Sequence, residues 1–418
     1  MSSDLDRRGF LRGTAALGAG AIALGAPRSG RAVPELGPAD GGSKGLHIRR
    51  YVRLGRTGFE VSDIGFGSGG LEDPRAIHRA YDVGINYFDT AEMGFEAELM
   101  LGKALKGKRH KVHITTKAIT EPHFKRERIM RSLEGSLQRL QTDYVDIFLC
   151  HAVNDVERLQ AQGWHEFVEL AKRQGKIRFA GMSGHGGRLQ ECLDYALEGN
   201  MVDVILCSHN FGTDPAFYEK FTKAFDLIAN QQGIQRLFRK AREKDVGVLC
   251  MKTLMGAKLN DLRKYEWGGA TFAQAAFRWV LSNPDVNALV VSMKTVAHVD
   301  EYVAASGTAE LGLLDRRLLR NYVREHSHEH CRQGCGECAG SCPLDVPIAD
   351  VLRSRMYEVS YEDHAKALDS YGRLGAGASP CVTCTSQACL GACPYGLEIP
   401  KLTREAARLL GPASRGNV

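Results

Sequence analysis

Eight short apolar runs constrain this chain more than anything else in it. They lie at residues 64–66, 85–88, 112–116, 145–149, 177–182, 202–206, 246–250 and 289–291. Stretches with helical period follow them, at 74–83, 96–105, 126–140, 164–174, 189–197, 234–244, 272–282 and 297–305. Eight strand–helix units in roughly 250 residues is the count of a (β/α)8 TIM barrel. The competing architecture is an open doubly wound sheet. Its dinucleotide-binding start needs a Gly-x-Gly-x-x-Gly turn, which residues 65–70 only approach. The sequence therefore predicts an α/β fold with a (β/α)8 barrel over 47–318. A hairpin at 49–61 precedes the first strand, with Gly58 between its arms. Residues 210–232 are longer than a usual strand–helix connection and rich in aromatics. They read as a partly helical insertion, either a lid or a packed excursion.

The N-terminus does not belong to the barrel. Arg7 and Arg8 stand before Phe10 and Leu11, and residues 13–26 form a weakly apolar Gly/Ala-rich run. The order resembles a twin-arginine signal over 1–32, which implies an exported protein, periplasmic or otherwise extracytoplasmic. Residues 33–46 read as a linker. No apolar run is long enough to span a membrane as a mature helix. Five Arg and two Asp in residues 1–31 supply +3 of the formal +6 charge. The remainder is only mildly basic and carries no Lys/Arg block, which argues against a nucleic-acid partner.

Barrel chemistry sits at the C-terminal ends of strands. Asp89 ends the second run, Lys117 the third and His151 the fourth. Singly, each has a plain reading as a rim ion pair or a satisfied histidine. His151, His185 and His209 end three successive strands. They could ligate a metal, although a polar rim around a pocket is the plainer reading.

The segments Phe-Asp-Thr-Ala at 88–91, Ile-Thr-Thr-Lys at 114–117 and Val-Asp-Ile-Phe-Leu-Cys-His at 145–151 together resemble the aldo/keto reductase family. The resemblance implies a nicotinamide-dependent carbonyl site built from Asp89, Lys117, His151 and a tyrosine acid. The tyrosine is absent. Counting back from Gly102, its slot falls at Gly94, or at Met93 with a loop one residue shorter. By the same resemblance Gly67, Ser183, Lys252, Leu254, Ser292, Lys294, Thr295 and Glu301 would contact a nicotinamide cofactor, with residues 251–256 as its pyrophosphate loop. Other family positions are changed: Gly184 and Leu206 replace carboxamide ligands, His298 the phosphate-binding arginine, and Tyr302 an asparagine. These losses weigh against NADPH, as does export. With no tyrosine to tune, His151 is the expected acid/base.

The remaining chemistry lies in the cysteines. Of twelve, eight fall in two groups: Cys331, Cys335, Cys338 and Cys342, then Cys381, Cys384, Cys389 and Cys393. Each group ends in Cys-Pro. Disulfides and zinc are alternatives for such a set. Clustered short gaps ending in Cys-Pro resemble bacterial ferredoxins, whose final Cys ligates the other cluster. That resemblance implies two 4Fe–4S clusters, one on Cys331, Cys335, Cys338 and Cys393 and one on Cys381, Cys384, Cys389 and Cys342. Helical periodicity over 348–373 implies a helical ferredoxin-like domain at 319–418. A barrel, a dicluster module and a twin-arginine signal resemble the iron–sulfur aldo/keto reductases. The expected function is a soluble exported oxidoreductase that interconverts a small carbonyl and an alcohol and passes electrons to a redox protein or membrane partner. The alternative is a catalytically altered barrel acting as an electron-transfer or binding protein without NADPH-dependent reduction.

Overall fold

The computed structural model describes residues 45–411 apart from 218–223, 257–261, 267–268, 270, 309 and 333. The twin-arginine segment, linker residues 33–44 and the tip of the 210–232 insertion lie outside the described residues.

A hairpin of β1 (Tyr51–Arg53) and β2 (Glu60–Ser62) pairs antiparallel. Its turn brings Leu54 and Val61 into a cluster with the barrel's interior side chains. Gly55 makes that approach possible: its φ is +46°, and a Cβ there would fall 2.3 Å from the backbone nitrogen of Gly247.

Eight parallel strands then close a barrel: β3 (Ile64–Gly67), β4 (Tyr87–Asp89), β5 (His113–Ala118), β6 (Val145–Cys150), β7 (Ile177–Gly184), β8 (Val204–Ser208), β9 (Gly247–Met251) and β10 (Ala288–Ser292). β10 pairs with β3 in register Leu289 to Ile64, which completes the ring. The barrel expectation is met strand by strand. Tyr87, Ile147, Leu149, Val204, Leu206, Leu249 and Val290 fill the interior. The alternate residues, such as Phe88, Phe148, Ile205 and Cys250, pack outward against the helices. The two-residue period assigns every strand-end side chain to the mouth or to the outer layer.

The outer helices are α1 (Arg75–Asp82), α2 (Phe95–Ala104), α3 (Arg126–Leu140), α4 (Val156–Gln160), α5 (Gln162–Arg173), α6 (Leu189–Glu198), α7 (Ala224–Glu243), α8 (Phe272–Leu281), α9 (Val296–Val303) and α10 (Leu313–His326). α7 begins ten residues before the periodic stretch at 234, so it absorbs much of the insertion. Phe211 packs edge-on against Phe272 and Tyr322, as a packed excursion would. α10 carries Leu318, Leu319, Tyr322 and Val323 into the barrel's outer core and runs through residue 319, where the sequence pattern had placed the domain boundary.

A second core forms from α11 (Ile348–Val359), α12 (His364–Gly372) and α13 (Ile399–Leu410). Val351, Leu352, Met356, Tyr371, Leu402 and Ala406 are among its centre, and six of the clustered cysteines pack against it. The C-terminal region is helical among its described residues, as its period predicts. No helix of the described residues is long and apolar enough to cross a membrane.

Candidate active site at the barrel mouth

Asp89 and Lys117 stand at the top of the barrel interior, one layer above the Tyr87–Thr115 hydrogen bond. Lys117 Nζ lies 2.6 Å from Asp89 Oδ2 and donates to the Thr90 carbonyl, also at 2.6 Å. Both side chains are buried, and Asp89 Oδ1 has no partner. Burial pushes the Asp89 carboxyl up, and Lys117 pulls it back.

His151 follows β6 on the interior side, with its amide donating to the Ala118 carbonyl at 2.9 Å. Arg158 fixes this rim from behind. Its guanidinium donates to the carbonyls of Thr120, Ala152 and His151 at 2.5, 2.9 and 2.8 Å. The His151 imidazole is held well below its ordinary range, first by burial and then by Lys117, Lys366, Arg158 and Lys252. It is neutral near pH 7. It can orient and polarise an oxygen or accept a proton there.

His185 ends β7 on the same inner face, and burial with Arg353 and Lys252 lowers it too. His209 does not join them. Strand parity turns it outward, between Phe238 of α7 and Trp279 of α8 at 5.1 and 4.9 Å. Ser208 takes the inward position instead, with its buried Oγ unpartnered. The three histidines therefore do not converge. Among the described residues no group of three or more His, Cys, Asp or Glu is drawn together to hold a metal ion, and that includes the eight clustered cysteines.

The C-terminal region covers this mouth. Tyr357 of α11, 1% exposed, places its hydroxyl 2.7 Å from Lys252 Nζ, just past β9. Lys366 of α12 stands 4.8 Å from the centre of the Tyr357 ring. Burial acts to raise the Tyr357 hydroxyl, but Lys252, Lys366 and Arg353 outweigh it and bring it to about 8. Burial lowers Lys252, also to about 8, so the two titrate as a pair. Arg353 donates to the His185 carbonyl at 3.1 Å and to Asp350 at 2.6 Å, while Asn154 reaches the other Asp350 oxygen at 3.0 Å. A small pocket remains between the two parts, lined by His185, Gly186 and Gly187 on one side and Cys331, Arg353 and Met356 on the other.

Residues 70–266 match the aldo/keto reductase family. An aldo-keto reductase from Klebsiella pneumoniae, solved in complex with NADPH, superposes with a TM-score of 0.51 at 25% identity, over 66% of this chain and 95% of that one. Over these residues the barrel is similar to the aldo/keto reductases. L-galactose dehydrogenase of Arabidopsis thaliana is 28% identical over 309 residues, 64% of this chain and 91% of that protein. Aldo-keto reductase YhdN of Bacillus subtilis is 35% identical over 158 residues, 32% of this chain and 46% of that one.

Measured against an aldo/keto reductase, the β4–α2 loop supplies no phenol. Gly94 caps α2, and its neighbours Met93 and Phe95 are 49% and 56% exposed. Tyr87 lies one layer too deep, with its hydroxyl bonded to Thr115 at 2.6 Å and burial driving its ionisation well above the ordinary range. Among the expected cofactor contacts, Ser183 accepts from the Ala152 amide at 3.0 Å, and Gly67 packs against the backbone of Val291. Lys294 pairs with Glu72 at 2.9 Å, and Thr295 caps α9 through the His298 amide. Ser292 and Glu301 are half-buried at the rim. The Lys252 ammonium is turned toward Tyr357. Leu254 and Met255 are buried, and the His330 ring lies against Gly256. Sequence reading missed Arg158, Arg353, Tyr357 and Lys366, because each reaches the mouth only through tertiary contact.

Thiols of the two cysteine motifs lie close enough to raise one another, Cys338 being raised by burial and then by both Cys393 and Cys389. All twelve are free thiols. Burial, then the neighbouring Cys335, Cys338 and Cys393, pushes the Cys331 thiol well up. Burial, then Cys342, Cys381 and Cys384, raises Cys389. Cys342, Cys381, Cys384 and Cys389 line one small pocket. Arg404 of α13 ties down its rim, donating to the carbonyls of Cys381 and Cys384 at 3.0 and 2.8 Å.

Proposed function

We propose that this chain is an exported oxidoreductase that interconverts a small carbonyl and an alcohol at the barrel mouth and relays the electrons through two 4Fe–4S clusters to a redox protein or membrane partner. One observation carries the reading: Cys331 and His185 line the same cavity, so a presumptive cluster ligand stands beside the mouth. Thiolates are soft donors suited to cluster iron. The mutual influence of Cys331 with Cys393 and of Cys389 with Cys342 supports the ligand sharing of two-cluster ferredoxins. Cys331, Cys335, Cys338 and Cys393 would hold one cluster, and Cys342, Cys381, Cys384 and Cys389 the other. Two clusters would each take one electron, matching one two-electron conversion.

In the alcohol-oxidising direction a nicotinamide would accept the hydride, and the two clusters would take its two electrons one at a time. The unpartnered buried hydroxyls of Ser208 and Thr253 at the strand ends suit a polar ligand, with Ser183, Leu254, Ser292, Lys294, Thr295 and Glu301 around it. In the chain's own chemistry, Lys117 and Asp89 set the field at the floor of the mouth, and neutral His151 orients the reacting oxygen. The Arabidopsis relative is by name a dehydrogenase of a sugar, which puts small polyhydroxy compounds first among substrates to try.

A second reading has its own support. The loop at 252–256 is covered by the C-terminal region, so a dinucleotide must enter beneath α11. If it cannot, the barrel works as an iron–sulfur electron-transfer or binding protein without NADPH-dependent reduction. Anaerobic titration of the iron-loaded protein with NADPH, and separately NADH, separates the two. Bleaching of the visible cluster absorption supports the enzyme. Clusters that only dithionite reduces support the second reading.

A further inference from the structure

Adding hydride to a carbonyl carbon leaves an alkoxide, and its oxygen needs a proton from a group that is protonated near neutral pH. The barrel's own mouth offers no phenol for this, and its Lys117 ammonium is tied to Asp89 and the Thr90 carbonyl. His151 is already neutral, and Asp89 is held as the partner of Lys117. The Tyr87 hydroxyl is sealed against Thr115 one layer below. The C-terminal region brings one phenol against the end of β9, beside cations that also act on His151. Its hydroxyl is 2.7 Å from an ammonium of the β9 end, and a second ammonium stands 4.8 Å from its ring.

We propose that Tyr357, carried on α11, is the proton donor of the site, and that Lys252 and Lys366 are the positioning residues that hold its charge when the proton leaves. The proposal rests on the carbonyl–alcohol reading above. In the reducing direction the carbon gains hydride from the nicotinamide-class donor. The Tyr357 O–H bond breaks as the substrate O–H forms, and the phenolate remains between two cations until water reprotonates it. In the oxidising direction the phenolate takes the alcohol proton as hydride leaves the carbon.

The pairing has a physical logic. A phenol alone, with pKa near 10, donates poorly, and nearby cations make it a better acid without leaving it fully ionised. The groups facing it are Lys252 at the end of β9, Arg353 on its own helix and Lys366 on α12, with Tyr361 stacked 5.9 Å away. None of them is a carboxylate. The same cations reach His151, so donor and orienting imidazole share one field. The fold thus makes the C-terminal region part of the reaction site as well as an electron carrier.

The test is Tyr357→Phe in the cluster-loaded chain, which keeps the ring and its packing. Turnover should fall by about 100-fold or more, the usual scale for losing a general acid, with KM little changed and the clusters still reducible by dithionite. A second readout needs no turnover. The ultraviolet difference spectrum of tyrosinate should contain a component ionising near pH 8 that disappears in Tyr357→Phe. Lys252→Met should move that component, and the alkaline limb of the reduction rate, to higher pH, and Lys252→Arg should bring both part of the way back. A Tyr357→Phe enzyme with the wild-type rate and pH profile overturns the proposal and leaves the reaction reading intact. So does the absence of the low tyrosinate component. A wild-type protein that converts no carbonyl or alcohol, with nicotinamide or with one-electron mediators, overturns the reaction reading and the donor role together.

Discussion

Arg353 and His185 meet across the two parts of the molecule: the guanidinium on α11 donates to the histidine carbonyl at the end of β7, 3.1 Å away. The same guanidinium is neutralised by Asp350, which Asn154 of the β6 loop also grips. Three residues therefore fasten α11 to two neighbouring strand ends.

Removing the central carboxylate should loosen that fastening. Asp350→Ala leaves Arg353 nearly buried without its anion and should cost about 1–3 kcal/mol. Chemical denaturation and limited proteolysis would measure it. An unchanged midpoint with no new cleavage between barrel and C-terminal helices would mean that the apolar contacts alone hold the roof.

The Asp89–Lys117 pair should behave as a unit. Breaking it from either side, by Asp89→Ala or Lys117→Met, leaves a buried charge and should cost about 3–5 kcal/mol. The double substitution should cost less than the two singles combined. Simple additivity in a double-mutant cycle would show that the two charges are solvated independently.

His209 sets an acid limit. Its folded pKa is lowered to about 4 by burial among aromatic rings, against about 6.5 when unfolded. The unfolded chain therefore binds a proton first as pH falls. The stability this histidine contributes is complete above about pH 6.5 and drains away toward pH 4, by roughly 3 kcal/mol at 1.36 kcal/mol per unit. His209→Phe should flatten that part of the stability–pH curve. An identical acid slope in wild type and variant would assign the loss elsewhere, with buried His151 and His185 the next to examine.

The ligand sharing proposed for the two clusters makes a prediction that motif order alone would not. Cys342→Ala should abolish the cluster of Cys381, Cys384 and Cys389 and spare the one held by Cys331, Cys335 and Cys338. Iron content should halve, and Cys393→Ala should spare the opposite cluster, so the two variants should differ in their reduced-state resonance spectra. Identical residual spectra would show that the motifs do not exchange ligands.

Export can be tested separately from chemistry. Replacing Arg7 and Arg8 together by Lys should keep the protein in the cytoplasm, with its clusters still assembled. Fractionation that finds the variant still exported would remove the twin-arginine reading.

The sequence made the barrel legible because eight apolar runs must each be buried on both faces, and Asp89, Lys117 and His151 fall at the ends of such runs. That same double burial hid the direction of His209. When both faces of a strand are apolar, the pattern does not say which alternate residue looks inward, and only the seating of Leu206 in the interior reveals it. The extent of α7 was hidden because its first ten residues carry no clear apolar period. Tyr357 was illegible for a different reason: it lies 105 residues beyond Lys252 in the chain, and no local pattern encodes a contact between separate cores. Resemblance located the vacancy at Gly94, but it could not say where along the remaining sequence a replacement would come from.

Residues 348–372, which carry Arg353, Tyr357 and Lys366, lie between Cys342 and Cys381 in the chain, and those two thiols line one cavity. If a single cluster joins them, the stretch that roofs the mouth is a loop locked at its base by iron. Its clasp is then inorganic. A cell short of iron, or one exposing the protein to oxidants that dismantle the cluster, would unlatch the roof, and the mouth would lose its phenol before the barrel lost its shape.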